Sequence, residues 1–235
     1  MMKFISFGSG SSGNCYLLAT PNDALLIDLG VGLRGLKKDF RTYGFSLSEV
    51  HHVLITHDHA DHIKSVGSFS NDYQIPVYAT HEVHVGITRN YCISQKIPAA
   101  LVRVIEKGKT IEIGDFKVTP FGVPHDSSDN VGYFIEANHD EEMVMNGPYP
   151  QFLKTRILSD TGHLSNRNCG LALVENMTEQ LRNVWLCHLS EENNHPELAR
   201  KTVESVLRDF GIIAGVDFHL EVLKRNSPSG IFELE

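Results

Sequence analysis

Short apolar runs separated by turn residues open the chain, and longer helical periods take over in its second half. Lys3–Phe7, Cys15–Ala19 and Ala24–Asp28 read as strands, each a β-rich run set off by turn residues. Leu33–Tyr43 carries helical periodicity and is closed by Gly44, which takes the left-handed position past a helix end without penalty. Val50–Thr56 is an apolar strand, a helix starts near Asp61, and Pro76–Ala79 is a further strand. Thr110–Ile113, Phe116–Phe121 and Val131–Ile135 follow as strands with Gly-Asp and Ser/Asp/Asn turns between them. The pattern then predicts helices over Glu142–Met145, Tyr149–Leu158 and Asn166–Asn176, the last behind Ser165 as N-cap. Val184–Cys187 is a buried-type strand, and Pro196–Phe210 is an amphipathic helix ended by Gly211. Strands and helices in both halves predict an α/β fold, two sheets packed together and covered outside by helices. No repeat, low-complexity tract or flexible linker interrupts the pattern, so 1–235 reads as one domain.

Composition changes this picture little. A hydrophobic content of 41% and a charged content of 21% place the chain among soluble globular proteins. The net charge of −8 argues against a generally basic nucleic-acid binder. It leaves room for a local basic groove, or for a site where bound cations supply the positive charge. No apolar run is long enough to span a bilayer, and the first residues lack the blocks of a signal peptide. Cys15, Cys92, Cys169 and Cys187 are scattered without paired spacing, which suits a reducing cytoplasm.

The chemistry concentrates where Val53-Leu54-Ile55 runs out into T-H-D-H-A-D-H. Alternate side chains of an extended backbone face the same way, so His57 and His59 can reach one ion. A turn into helix then carries Asp61 and His62 to the other side of that ion, where they could hold a second. Imidazole with carboxylate suits zinc, manganese or iron better than calcium. A solvated loop has no reason to set histidines at this spacing against a buried strand. His125 in F-G-V-P-H-D-S-S and His188 in V-W-L-C-H-L-S also end strands, from which a rigid sheet can aim a ring at a common centre. Asp28 in L-L-I-D-L-G is placed to orient a metal-bound histidine or the cluster loop. The glycine-rich stretch 8–14 lacks a P-loop lysine, so its expected role is a tight turn near the metal site, with Ser11, Ser12 and Asn14 offering hydrogen bonds. His163 in S-D-T-G-H-L-S-N is either a general acid or the lead-in to a capped helix, and His139 in E-A-N-H-D is similarly open. His81 and His84 in H-E-V-H have the wrong spacing for a metalloprotease helix and read as structural. His51, His52, His195 and His219 have no supporting context.

The motif T-H-D-H-A-D-H, with Asp28, His125 and His188 in the right order, resembles the metallo-β-lactamase-fold hydrolases, in the H-x-H-x-D-H branch that includes ribonuclease Z and phosphodiesterases. The likeness runs nearly end to end. G-S-G-S-S-G-N-C, V-P-H-D-S-S-D-N-V-G-Y, E-A-N-H-D-E-E-M, N-G-P-Y-P, G-H-L-S-N and H-L-S-E-E-N-N together look like the YycJ (WalJ) group of bacterial cytoplasmic nucleases. The resemblance implies a four-layer αβ/βα sandwich with a dinuclear site in the cleft between the sheet edges, and 5′→3′ exonuclease activity on DNA. It implies His57, His59 and His125 as ligands of one divalent ion, zinc or manganese. Asp61, His62 and His188 would hold the other, and His163 would protonate the leaving oxygen. Ser11, Ser12, Asn14, Asn138, His139, Glu191, Asn193 and Asn194 are candidates for contacts to substrate or behind the ligands.

One departure stands out. Relatives follow the V-G-Y strand with another strand ending in T-D-x-G and then a helix, before E-A-N-H-D. Here Val131–Ile135 runs straight into Glu136-Ala137-Asn138-His139-Asp140, so one strand, one helix and the bridging Asp are expected to be missing. Asp160 in S-D-T-G mimics the motif but belongs to the segment before G-H-L-S-N. With Asp61 as the remaining carboxylate ligand, repulsion between two dications is poorly offset and the second site is expected to be weak. The expected function is a metal-dependent phosphodiesterase acting on DNA, with no membrane partner and an open oligomeric state. A hydrolase of small esters, thioesters or cyclic phosphates is one alternative, and an inactive binding protein is the other.

Overall fold

The computed structural model describes residues 1–122, 131–132, 135–159, 162–178 and 181–234. Its contacts divide the chain into two compact units. The first takes in the chain up to Gly122, Val131–Gly132 and the segment from Asn226 onward, and the second runs from Ile135 to Arg225.

The first unit is built on β1 (Met2–Gly8), β2 (Cys15–Ala19), β3 (Ala24–Ile27), β4 (His52–Leu54), β5 (Val77–Ala79) and β6 (Val102–Val104). The strands β1, β2 and β3 form an antiparallel meander, while β3, β4, β5 and β6 pair in parallel. Parallel neighbours need crossovers, and α1 (Leu33–Thr42), α2 (Ala60–Ile63), α3 (Val66–Tyr73) and α4 (His81–Arg89) lie in those connections. In α1, Leu36 and Phe40 stand four residues apart on the buried face, and the Phe40 ring stacks on Phe7 with centroids 4.8 Å apart. Two small hairpins complete the unit. One pairs β7 (Ile111–Ile113) with β8 (Phe116–Val118), the other β9 (Phe121–Gly122) with β10 (Val131–Gly132).

The second unit carries a parallel sheet of β11 (Ile135–Glu136), β12 (Asn183–Cys187) and β13 (His219–Val222). Its helices are α5 (Glu141–Asn146), α6 (Gln151–Ile157), α7 (Asn166–Asn176) and α8 (Pro196–Asp209). Ala199, Val203 and Leu207 recur every four residues along α8 and join Cys169, Leu173, Leu186, Phe218 and Leu220 in its core. The final strand of the chain, β14 (Phe232–Leu234), returns to the first unit and pairs antiparallel with β1.

Several sequence expectations change. The strand expected over Phe116–Phe121 is two strands, because Pro120 has no N–H to continue the ladder. The strand expected over Val131–Ile135 is likewise β10 and β11, which belong to different units. Val50–Thr56 narrows to β4, since a 3-10 turn at Leu47–Glu49, capped reciprocally by Ser46 and Glu49, occupies its approach. Only residues 133 and 134 separate β10 from β11, which leaves no room for a further strand and helix ahead of E-A-N-H-D. No helix of the described residues is long and apolar enough to cross a membrane.

Candidate metal centre

Ile27 pairs with Leu54 across the parallel β3–β4 ladder, so both strands deliver their C-terminal ends to one edge. Asp28 arrives there from β3, and the Thr56–His62 loop from β4. Asp28 takes φ +58°, a left-handed conformation uncommon outside glycine, and is almost wholly buried. Its Oδ1 accepts the Thr56 N–H at 2.9 Å, and its Oδ2 accepts from the Thr56 hydroxyl at 2.8 Å and from His62 Nδ1 at 2.7 Å. With its proton given to the carboxylate, the Thr56 oxygen accepts from His57 Nδ1 at 2.9 Å. This network assigns both rings the tautomer with Nδ1 protonated and the lone pair on Nε2, the form a metal ligand needs.

The rings converge. The His57 centroid lies 3.9 Å from that of His62 and 4.8 Å from that of His59. Asn14 closes the underside: its amide nitrogen lies 3.0 Å from His62 Nε2 and 3.2 Å from Asp61 Oδ2, while its backbone N–H donates to the Asp61 carbonyl at 2.8 Å. The Tyr16 hydroxyl fixes that amide by donating to Asn14 Oδ1 at 3.1 Å. Gly30 lets the chain pass beneath Asp61, where a Cβ would overlap the Asp61 carbonyl. Two ligands of one zinc ion lie about 3.3 Å apart at tetrahedral geometry, and His62 Nε2 and Asp61 Oδ2 lie 3.5 Å apart. The donor set therefore fits a divalent ion of the zinc or manganese kind.

In the second unit, Glu136 stands opposite Cys187 in the parallel β11–β12 pair, next to His188 at the strand ends. Glu136 Oε1 accepts from His188 Nδ1 at 2.6 Å and from His163 Nδ1 at 2.8 Å, and its Oε2 accepts the Leu164 N–H at 3.1 Å. Burial alone would raise this carboxyl, but the two imidazoles, His163 foremost, hold it well below the usual carboxylate range. The device repeats that of Asp28: a carboxylate takes Nδ1–H and leaves Nε2 to act. By distance Glu136, His163 and His188 could themselves share an ion. Their Nδ1 atoms are already committed to the carboxylate, so we read Glu136 as their support. His188 holds φ +52°, and its turn is pinned on several sides. Asn138 Nδ2 donates to the His188 carbonyl at 2.7 Å. Arg225 donates to the carbonyls of Leu189 (3.0 Å), Ser190 and Asn194 (2.8 Å each).

The remaining candidates fall into place unevenly. Asn194 is a buried strut, its amide donating to the Ala137 and Asn138 carbonyls and to Asn166 Oδ1. His139 is buried, and burial holds its imidazole below the ordinary range; its carbonyl accepts the Asn166 N–H at 2.8 Å. Asn193 is also buried, with neither amide atom hydrogen-bonded among the described residues. Ser11 and Glu191 are exposed, and Ser12 donates to Asn226 Oδ1. His84 lies buried in α4 with Nε2 3.1 Å from the Arg103 carbonyl, while His81 is exposed. His125 and Asp160 lie outside the described residues. Sequence reasoning missed Thr56, Glu136 and Arg225. Glu136 escaped because the strand was ended one residue early, at Ile135; an acid closing a strand just before A-N-H-D was the available signal.

The Beta-lactamase superfamily domain matches residues 24–147, which include Asp28 and the whole His57–His62 loop. Exodeoxyribonuclease YycJ of Bacillus anthracis is 30% identical over 262 aligned positions, covering 98% of each chain. That span exceeds the 235 residues here, so YycJ carries segments that this chain lacks. Exodeoxyribonuclease WalJ of Streptococcus pneumoniae serotype 2 (strain D39 / NCTC 7466) is 32% identical over 92% of each chain. Among solved structures, the metallo-beta-lactamase fold protein YhfI from Bacillus subtilis superposes with a TM-score of 0.64 over 97% of this chain and 99% of its own. At 15% identity that likeness is one of fold. With its donor set, its fold and relatives of this kind, the chain belongs to the beta-lactamase superfamily and is a metal-dependent hydrolase of the metallo-β-lactamase fold.

Proposed function

We propose that this protein is a metal-dependent phosphodiesterase that shortens DNA from an end, with 5′→3′ polarity. The observation that carries this reading is the carboxylate-backed histidine found twice, Asp28 behind His62 and Glu136 behind His188. Relatives aligned over nearly the whole chain bear the name exodeoxyribonuclease. In this reading His57, His59 and His125 hold one ion, and Asp61, His62 and His188 hold a second, weaker one. Divalent ions bound there supply charge opposite the phosphoryl oxygens and make water acidic enough to attack near neutrality.

The chain's own groups do the rest. Asp61 orients the attacking water through its carboxylate. Asn14 keeps the Asp61 and His62 donor atoms in place. His163, anchored through Nδ1 on Glu136, passes a proton from Nε2 to the departing oxygen. The absent T-D-x-G segment favours a second reading, a binding protein without turnover. Metal analysis of the purified protein with an assay on bis-p-nitrophenyl phosphate tests the choice. Bound metal with turnover supports the phosphodiesterase, and no turnover supports the binding protein. Labelled DNA compared with a panel of thioesters and lactones then separates a nuclease from a small-molecule hydrolase.

A further inference from the structure

A chain of net charge −8 that works on a polyanion has to offer cations locally. The segment after α4 offers them beside the metal loop. Arg89 and Lys96 are exposed there, and between them Tyr91 is 96% exposed, the most open large hydrophobic side chain among the described residues. Lys96 Nζ donates to the Asn90 carbonyl at 3.2 Å, which sets its ammonium at the peptide leading into Tyr91.

The segment is held firmly at both ends. Asn90 Nδ2 donates at 3.0 Å to the carbonyl of Asp58, the residue between His57 and His59. Asp58 also lies on α4 at Gly86, where a Cβ would overlap its carboxylate. The Cys92 N–H donates to Asn90 Oδ1 at 2.9 Å, closing a tight turn with Tyr91 at its tip. Further along, Asn71 Nδ2 donates to the Lys96 carbonyl at 2.8 Å, while Ile93 is buried and Ile97 packs against the same core. An aromatic ring displayed on an anchored turn, with an ammonium one peptide away, is the pairing by which proteins grip single-stranded nucleic acid. The ring stacks on a base and the cation meets a phosphate. Its turn is already ordered, so binding costs little further entropy.

We propose that Tyr91 and Lys96 form a binding platform for the single-stranded end of the nucleic-acid substrate, Tyr91 stacking on one base and Lys96 meeting a flanking phosphate. This rests on the nuclease reading and adds to it where the strand is gripped. The test compares Tyr91→Ala, Tyr91→Phe and Lys96→Gln with the parent on a 5′-phosphorylated, fluorescent single-stranded oligonucleotide and on bis-p-nitrophenyl phosphate. Tyr91→Ala raises KM for the oligonucleotide about tenfold, the loss expected for one stacked base, and Tyr91→Phe stays within about twofold. Lys96→Gln flattens the dependence of log KM on log salt by about 0.7, one phosphate contact on a single strand. Turnover of bis-p-nitrophenyl phosphate, too small to reach the platform, is unchanged in all three.

An oligonucleotide KM that does not move in Tyr91→Ala overturns this inference alone and leaves the nuclease reading standing. Equal losses on both substrates also overturn it, because they point to a distorted metal loop. If the parent turns over neither substrate, the nuclease reading fails, and fluorescence anisotropy of the oligonucleotide decides the platform separately. No binding, or equal binding by parent and Tyr91→Ala, overturns it; a tenfold weaker Tyr91→Ala complex supports it.

Discussion

Each edge of the β3–β4 pair ties an aspartate to a pair of histidines, Asp23 to His51 and His52 at one and Asp28 to His57 and His62 at the other, and the two put them to opposite uses. At the edge where these strands begin, the carboxylate is the meeting point. Asp23 receives His51 Nδ1 at 2.8 Å and His52 Nε2 at 3.3 Å on its two oxygens, and the ring centroids stay 6.2 Å apart. At the edge where they end, the imidazoles are the meeting point and the carboxylate stands behind them. Asp28 takes His62 Nδ1 directly and His57 Nδ1 through Thr56, with the two centroids 3.9 Å apart. Exposure separates them too: the His51 side chain is 51% exposed and that of His62 is 8%. Residue type alone does not make a ligand set. What makes one is rings that converge with their lone pairs on the same side.

The sharpest break of that comparison is a deletion at each edge. Asp61→Ala should abolish hydrolysis of bis-p-nitrophenyl phosphate while leaving the circular dichroism spectrum of the parent. His51→Ala should leave turnover intact. Turnover that survives within a few-fold in Asp61→Ala would remove Asp61 as ligand and orienter together.

The next effect is selective. His163→Ala should slow substrates with poor leaving groups by about 10²- to 10⁴-fold, the range for a general acid, and spare those with good ones. Metal content should stay at the parent's level. Equal slowing across a leaving-group series would mean that the Glu136–His163 contact is structural, like the one at Asp23.

A smaller effect separates the two aspartates directly. Asp28→Asn keeps the shape but weakens the hold on the Nδ1 protons, and should lower metal affinity by about 10- to 100-fold in competition with a chelator. Asp23→Asn should leave that affinity unchanged. Equal losses in the two variants would show that the metal loop answers to general stability rather than to the carboxylate behind it.

These contrasts also mark what the sequence could reveal. Local signals were legible: the apolar run of β4 and the spacing of His57, His59, Asp61 and His62 pointed to the loop, Asp28 to its support, and Ser165 to the start of α7. Asp28, His57, His62 and Asn14 do meet in the fold. Contacts set by long-range pairing were not legible. His51 and His52 gained a partner only through the β3–β4 register, and Glu136 gained His188 only because β11 pairs with β12, far along the chain. The helix α4 is not legible because its apolar residues, Val83, Val85 and Ile87, recur at every second position rather than at helical spacing, and β13 and β14 acquire meaning only from distant partners.

The smallest expected effect is a matter of stability at the other edge. Asp23 accepts the N–H groups of Ala24 at 2.8 Å and Asp115 at 3.0 Å besides its two imidazoles. Burial pulls its carboxyl up, but the Asp115 N–H, His51, His52 and the Ala24 N–H outweigh it and leave it below the ordinary range. His52 is held below its own ordinary range, chiefly by burial, so near pH 7 it meets Asp23 as a neutral ring. The contribution is therefore one of hydrogen bonds to a carboxylate, on the order of 1 kcal/mol. A carboxyl lowered by folding stabilises the fold above its unfolded value, about pH 4, and loses that contribution as the pH falls through the folded value. Asp23→Asn should thus melt about 2–4 °C below the parent at pH 7, and the gap should narrow only once the pH drops below about 4. A gap that stays constant down to pH 2 would show that the Asp23 charge contributes nothing. The edge would then be held by the Asp23 hydrogen bonds whatever the carboxyl's charge, and the contrast with Asp28 would be wider still.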